Sequence, residues 1–149
     1  MTKDELVAQT KEIFGLWNAH DAPGLARFYA NGATARDAAY RDNPAIGQDA
    51  IVERARMILG GFSDAKLEII SITVDGNRVC SEWRFSGTHD GVFLGVPASG
   101  LSDYNLGATV AEVDQDGKIV SETVYWDAAR FFNNVGLLTS PAAAAGAAS

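Results

Sequence analysis

Lys66-Leu67-Glu68-Ile69-Ile70-Ser71-Ile72-Thr73-Val74-Asp75-Gly76 is the stretch at which the chain changes its period. Before it, apolar residues recur every three or four positions. From Lys66 the period is two, with Glu68, Ile70, Ile72 and Val74 alternating with Leu67, Ile69, Ser71 and Thr73. Successive side chains of a strand point to opposite faces, so this is a strand, and Asp75-Gly76 supplies the tight turn of a hairpin. The next strand, about Arg78 to Ser86, sets Val79, Ser81, Trp83 and Phe85 on one face and Cys80, Glu82 and Arg84 on the other. A Gly-rich connection, Gly87 to Gly100, leads to a strand from about Ser102 to Val113. Asp116-Gly117 then turns the chain into a last strand, Ile119 to Tyr125, and Asp127 opens a closing segment carrying Phe131, Phe132, Val135 and Leu137.

Upstream, Thr2 with Glu5 three residues later is a capping-box pattern, and Leu6, Val7, Ile13, Phe14 and Trp17 follow at helical spacing as far as about Ala19. Asp21 and Pro23 start a short second helix with Leu25, Phe28 and Tyr29, which Asn31-Gly32 stops. A strand-like segment, Ala33 to Asp37, passes through a polar loop to Gly47. Ile51, Val52, Ala55, Ile58 and Leu59 then mark a third helix ended by Gly60-Gly61. Three helices followed by antiparallel strands predict an α+β fold with the helices on one face of the sheet. Long twisted strands wrapped around helices make a cone whose mouth is a natural small-molecule pocket.

The 149 residues fit one domain, assigned to 1–138, with an Ala-rich tail at 139–149. Hydrophobic residues at 47% and charged residues at 21% are those of a chain that can bury a core. The net charge of −7, with only 12 Lys and Arg, argues against nucleic acid or an anionic membrane as partner, since both demand a concentrated basic face. Cys80 is alone and only His20 and His89 accompany it, so neither a disulfide nor a metal-ligand spacing is legible, and the expected location is the reducing cytoplasm. No cofactor motif occurs: Gly95 and Gly100 are hairpin glycines without the helix a dinucleotide fingerprint requires. The N-terminal residues read as neither signal peptide nor anchor, and no apolar run approaches a membrane span.

Three separated stretches carry a resemblance. Gly87-Thr88-His89-Asp90-Gly91-Val92-Phe93-Leu94-Gly95-Val96-Pro97-Ala98-Ser99-Gly100 resembles the hairpin motif of SnoaL-like polyketide cyclases, a family of the NTF2-like superfamily. Asp116 to Glu122 with Tyr125-Trp126-Asp127 resembles that family's last strand, and Val135-Gly136-Leu137-Leu138 its C-terminal end. The resemblance implies a cone of curved mixed sheet with three N-terminal helices, a small apolar or polycyclic carbonyl ligand, no cofactor, and a homodimer. The superfamily also holds ketosteroid isomerases, epoxide hydrolases, dehydratases and non-catalytic proteins, so fold alone does not choose the reaction. The chain departs from the cyclase pattern in lacking a Trp after Glu122, in having Pro97-Ala98-Ser99 for a double proline, and in having no His between Ser102 and Val113.

Asp127 is the position matched to the family's late-strand acid/base. It runs in phase with Ser121, Thr123 and Tyr125, and a carboxyl in an apolar pocket can both take and return a proton. The same residue, just before Ala128-Ala129-Arg130-Phe131, also reads as a helix N-cap. Asp37 matches the isomerase base, yet the isomerase's oxyanion donors fall at Ile13 and Thr109, and Asp37 also reads as a mouth residue or a partner of Arg36 or Arg41. Arg84, Asp37 and Asp127 would have to meet in space to rebuild an epoxide hydrolase's Asp-Arg-Asp group. His89 reads as a proton donor at the pocket rim or as a turn histidine bonded to nearby backbone, and His20 as a helix-end residue. Trp17, Trp83, Phe93, Tyr104 and Tyr125 suit either an aromatic pocket or plain core. The leading expectation is a cofactor-independent cyclase-like enzyme acting on an apolar carbonyl compound. The rival, a ligand-binding or dimerisation module, predicts a cone filled by Trp83, Phe93 and Leu106.

Overall fold

The computed structural model describes residues 1–40 and 42–138. The Ala-rich segment and Arg41 lie outside the described residues. The first helix, α1 (Lys3–Asn18), begins with the capping box: the Glu5 N–H donates to Thr2 Oγ1 at 3.2 Å and the Thr2 N–H to Glu5 Oε2 at 2.6 Å. At its other end Asn18 exchanges two hydrogen bonds with the Leu67 backbone, at 2.7 and 2.8 Å, which ties the helix to the first long strand. His20, at φ +57, lies just past the helix and its ring is bonded to the Ala65 carbonyl.

The second helix is a single 3-10 segment, Pro23–Phe28, and the strand β1 (Tyr29–Asp37) starts where the helix was expected to continue. Tyr29 pairs in parallel with Ile119, so the sheet outweighs the local helical pattern. Asn31-Gly32 falls at a shift of register between Tyr29 and Thr34, with Gly32 at φ +74, and so marks a bulge within the strand instead of a helix stop. A short turn (Ala38–Tyr40) and β2 (Ala45–Ile46) precede α2 (Gln48–Gly61).

The remaining strands are β3 (Lys66–Asp75), β4 (Arg78–Thr88), β5 (Ser102–Val113) and β6 (Ile119–Trp126), followed by α3 (Ala128–Asn134). They complete one curved, unclosed, mixed sheet in the order β2-β1-β6-β5-β4-β3, with β1 and β6 parallel and the other neighbours antiparallel. One detail of β3 differs from strict alternation. A bulge between Ile69 and Ser71 changes the phase, so Leu67 and Ile69 share the concave face with Ile72 and Val74, opposite Phe85, Trp83, Ser81 and Val79, while Ile70 faces solvent.

Buried residues of α1, the 3-10 segment, α2 and the sheet strands β1, β2, β4, β5 and β6 form the larger core, and a second cluster around Phe62, Phe93, Phe131 and Val135 closes the other end. Phe62 meets Phe85, Phe93 and Phe131 at ring separations of 5.8, 5.3 and 5.5 Å, an edge-on and tilted aromatic cluster. Among the described residues no helix is long and apolar enough to cross a membrane, and no group of three His, Cys, Asp or Glu side chains could hold a metal ion.

Candidate active site

The concave face of the sheet is floored by small residues: Ser81 on β4, Gly107, Thr109 and Ala111 on β5, and Ala35 on β1, all facing the helices. Large side chains here would fill the cone. Instead a cavity of about 660 Å³ remains between the sheet, α1 and α2. Trp83 is part of that floor because Gly107 sits opposite it. A Cβ at Gly107 would stand 2.4 Å from the indole, so only glycine lets the ring lie across β5, where its Nε1–H donates to Thr109 Oγ1 at 3.0 Å. The cone is therefore not filled: Trp83 lies along the wall, and Leu106 faces outward into solvent.

Polar groups gather on one wall of this mostly apolar cavity. Glu122 on β6 lies between Ala35 and Ala111, and its Oε1 accepts the Tyr29 hydroxyl at 2.8 Å. Burial raises the Glu122 carboxyl above its ordinary range, against the opposing pull of the Tyr29 hydroxyl and of Arg54. The Tyr29 hydroxyl is raised in turn, first by burial and then by Glu122. Arg54 of α2 donates to the carbonyls of Ala35 and Asn43 at 3.2 and 2.6 Å, which anchors its guanidinium in the cavity wall. No carboxylate among the described residues pairs with it within 4 Å. Tyr40 is pushed up to about 12, chiefly by burial and then by Asp37, and its hydroxyl is buried without a hydrogen-bond partner among the described residues.

Asp37, the last residue of β1, lines this wall. Its Oδ1 accepts the Trp126 Nε1–H at 2.9 Å and the Ala39 N–H at 2.8 Å, while Oδ2 lies 3.1 Å from the same indole nitrogen. The expected pairing with Arg36 is not formed, and Arg41 falls outside the described residues. The indole N–H is thus shared by both carboxylate oxygens and the Ala39 N–H adds a second donor at Oδ1, which fixes the carboxylate on the cavity wall with acceptor capacity to spare.

Asp127 is elsewhere. Beyond the register shift near Ile119, which also lines the cavity, the cavity-facing residues of β6 are Glu122, Val124 and Trp126, so the phase of Ser121, Thr123, Tyr125 and Asp127 is the outward one. Asp127 is exposed, and its Oδ1 accepts the Arg130 N–H at 3.1 Å as the N-cap of α3. Tyr104 and Tyr125, expected in the pocket, are also on the outer face. Arg84 lies there too, its guanidinium 4.2 Å from the Tyr104 ring centre, so Arg84, Asp37 and Asp127 do not converge. The physical reason is shared: these strands carry apolar residues on both faces, and hydrophobicity alone does not choose the inner one. Trp17, Trp83 and Phe93 do line the cavity. Ile13 lines it as an apolar residue, and the Thr109 hydroxyl is bonded to Trp83.

His89 is fully buried outside the cavity lining, its ring 5.6 Å from that of Phe62. Its Nδ1 accepts the Ser99 N–H at 3.3 Å and lies 3.1 Å from Ser99 Oγ, while Nε2 has no partner among the described residues. This is the arrangement of a histidine bonded to its own loop. Sequence reasoning missed Arg54, Tyr40 and the Tyr29–Glu122 pair as cavity residues. The available signal was Glu122 itself, a carboxylate in phase with Val124 and Trp126 on a strand between two others.

SnoaL-like polyketide cyclases match residues 8–134, and the chain belongs to that family. No curated protein matches it significantly. Among solved structures, AclR of Streptomyces galilaeus, a candidate hydroxylase, superposes with a TM-score of 0.79 at 23% identity over 92% of this chain and 99% of its own. TsrD of Streptomyces laurentii gives 0.77 at 23% identity over 93% and 100%. IdmH of Streptomyces antibioticus, a candidate polyketide cyclase, gives 0.74 at 19% over 91% and 99%. At these identities the likeness is one of fold, the NTF2-like cone.

Proposed function

We propose that this chain is a cofactor-independent acid/base enzyme that carries out aldol-type cyclisation of an apolar carbonyl compound, with Asp37 as the proton carrier. The observation that carries the reading is the position of Asp37: a carboxylate fixed by Trp126 and Ala39 at the edge of a large, mostly apolar cavity, on the wall that also holds Arg54 and Glu122. In the step envisaged, Asp37 removes a proton from the carbon beside a ligand carbonyl. The electron pair moves onto the carbonyl oxygen as an enolate, facing the guanidinium of Arg54 and the proton that Glu122 retains to higher pH than a free carboxyl. The enolate carbon then bonds to a second carbonyl carbon of the same molecule. The proton on Asp37 passes to the new alkoxide, which restores the carboxylate. Aromatic walls from Trp17, Trp83 and Phe93 orient the rings and exclude water.

Tyr104, Leu106 and Tyr125 leave the outer face of the sheet apolar and exposed, and this reading includes a homodimer that buries it. The test uses an aryl polyketone whose cyclised product is followed by mass spectrometry. Asp37→Asn is expected to lower turnover by about 10² to 10⁴ while leaving ketone binding intact. Wild-type turnover by that variant would overturn the mechanism.

A further inference from the structure

Leu94 is held in a backbone conformation that its own side chain disfavours. The Phe93 N–H donates to the Val96 carbonyl at 3.1 Å and the Val96 N–H to the Phe93 carbonyl at 2.9 Å, closing a two-residue turn. Its central residues, Leu94 at φ +51 and Gly95 at φ +75, are both left-handed. Such turns favour Asn, Asp or Gly at the first central position, because a larger side chain crowds the adjacent carbonyl. Burial does not compensate: Leu94 is 45% exposed. Yet Leu94 lines the cavity, and with Met57 of α2, 36% exposed, it makes the two large apolar residues among those described that both line the cavity and face solvent. They are the apolar part of its rim, which also carries the exposed side chains of Arg36, Asn43 and Glu53.

The turn is fixed where it stands. The N–H groups of Asp90 and Gly91 both donate to the Gly61 carbonyl, at 3.2 and 3.1 Å. A Cβ on Gly91 would fall 2.0 Å from the Gly60 carbonyl oxygen, and one on Gly61 would fall 2.8 Å from Phe93 Cβ. The base of the hairpin is thus pressed on the end of α2, with buried Phe93 as a wedge, and its tip is carried over the mouth.

We propose that Leu94 is a specificity-determining ligand contact, an apolar brow held over the cavity mouth to cover the ring system of a bound ketone at the expense of an unstrained turn. This rests on the reading that the cavity takes an apolar carbonyl compound. It defines the ligand further: the part that lies under Leu94 is a flat apolar surface, and a polar substituent at that point would lose its hydration against the side chain.

Leu94→Asn tests the idea, because asparagine suits the turn and removes the apolar contact. With fluorenone, a neutral tricyclic ketone, titrated by quenching of tryptophan fluorescence, the variant is expected to raise Tm and yet weaken binding by about five- to tenfold, a loss that corresponds to about 1 to 1.4 kcal/mol. Leu94→Met, which keeps the contact, is expected to bind within about twofold of wild type. Unchanged fluorenone affinity in Leu94→Asn would overturn this inference alone and leave the acid/base reading standing. A lowered Tm together with weaker binding would also overturn it, since damage to the fold would explain both. Failure of the wild-type protein to bind fluorenone would sink the ligand class and this inference together. Loss of affinity in Leu94→Asn beside full turnover in Asp37→Asn would sustain the contact and sink the chemistry.

Discussion

The two faces of one sheet, separated by a single residue step along each strand, lead to opposite outcomes. On the concave face, Ser81, Gly107, Thr109 and Ala111 are small, and they leave a cavity into which Asp37 and Glu122 project. On the convex face, Tyr104, Leu106 and Tyr125 are large and exposed, and the nearby carboxylate, Asp127, is spent on capping a helix. The contrast runs against ordinary patterning, in which the bulky face is the buried one. Neighbours in sequence make the point most directly: the Trp126 indole holds Asp37 in the cavity, while Asp127 turns outward to the Arg130 N–H.

The largest expected break in this comparison comes from Gly107→Val. A branched side chain cannot share the space of the Trp83 ring, so the indole must tip into the cavity; a cost of about 1 to 3 kcal/mol in stability is expected, with loss of ketone binding. Ala108→Val, one residue away on the convex face, should stay within about 0.5 kcal/mol in the same denaturant titration. Equal losses would mean that the two faces are not distinct.

Leu106→Asp probes the convex face as an interface. It should shift the light-scattering mass at micromolar concentration from two chains to one while the monomer stays folded, since Leu106 packs in no core. A monomeric wild-type protein would refute the dimer outright.

Glu122→Gln sharpens the electrostatic side of the contrast. Glu122's folded pKa is raised by burial, so its contribution to stability is fully present below the unfolded value, about 4.3, and is lost as pH rises through the folded value. Tm of the wild type should therefore decline over that window relative to the Gln variant, which keeps an acceptor for the Tyr29 hydroxyl. Parallel Tm curves from pH 4 to 8 would refute the burial of a titrating carboxyl.

The smallest effect belongs to Asp127→Asn. Asparagine ranks with aspartate as an N-cap, so stability should change by well under about 1 kcal/mol, and turnover should match wild type. A loss of turnover comparable to that of Asp37→Asn would return the proton transfer to the late strand and overturn the assignment to Asp37.

Much of this architecture was legible from local signals. Thr2 and Glu5 marked the first cap, Gly60-Gly61 the end of α2, and the change of period at Lys66 the start of the sheet, because caps, turns and periodicity are settled by residues within a few positions of each other. The 3-10 segment was less legible, since Tyr29 joins a strand only because Ile119 is there to pair with it. The bulge between Ile69 and Ser71 was hidden for a related reason: Ile69 and Ile70 are interchangeable in a hydrophobic pattern, and only pairing with β4 decides which one turns inward. Of the aromatic candidates, Trp17, Trp83 and Phe93 reached the cavity and Tyr104 and Tyr125 did not.

The sequence by itself determined the kinds of element, their order and the family resemblance, all of which depend on short-range spacing. Tertiary structure alone decided which face of β5 and β6 lines the cavity, and with it which carboxylate meets a ligand. A strand's alternation identifies two faces but assigns neither to the interior when both are apolar. That assignment comes from the direction in which the whole sheet curves and from contacts between distant residues, such as Trp83 over Gly107 and Trp126 against Asp37.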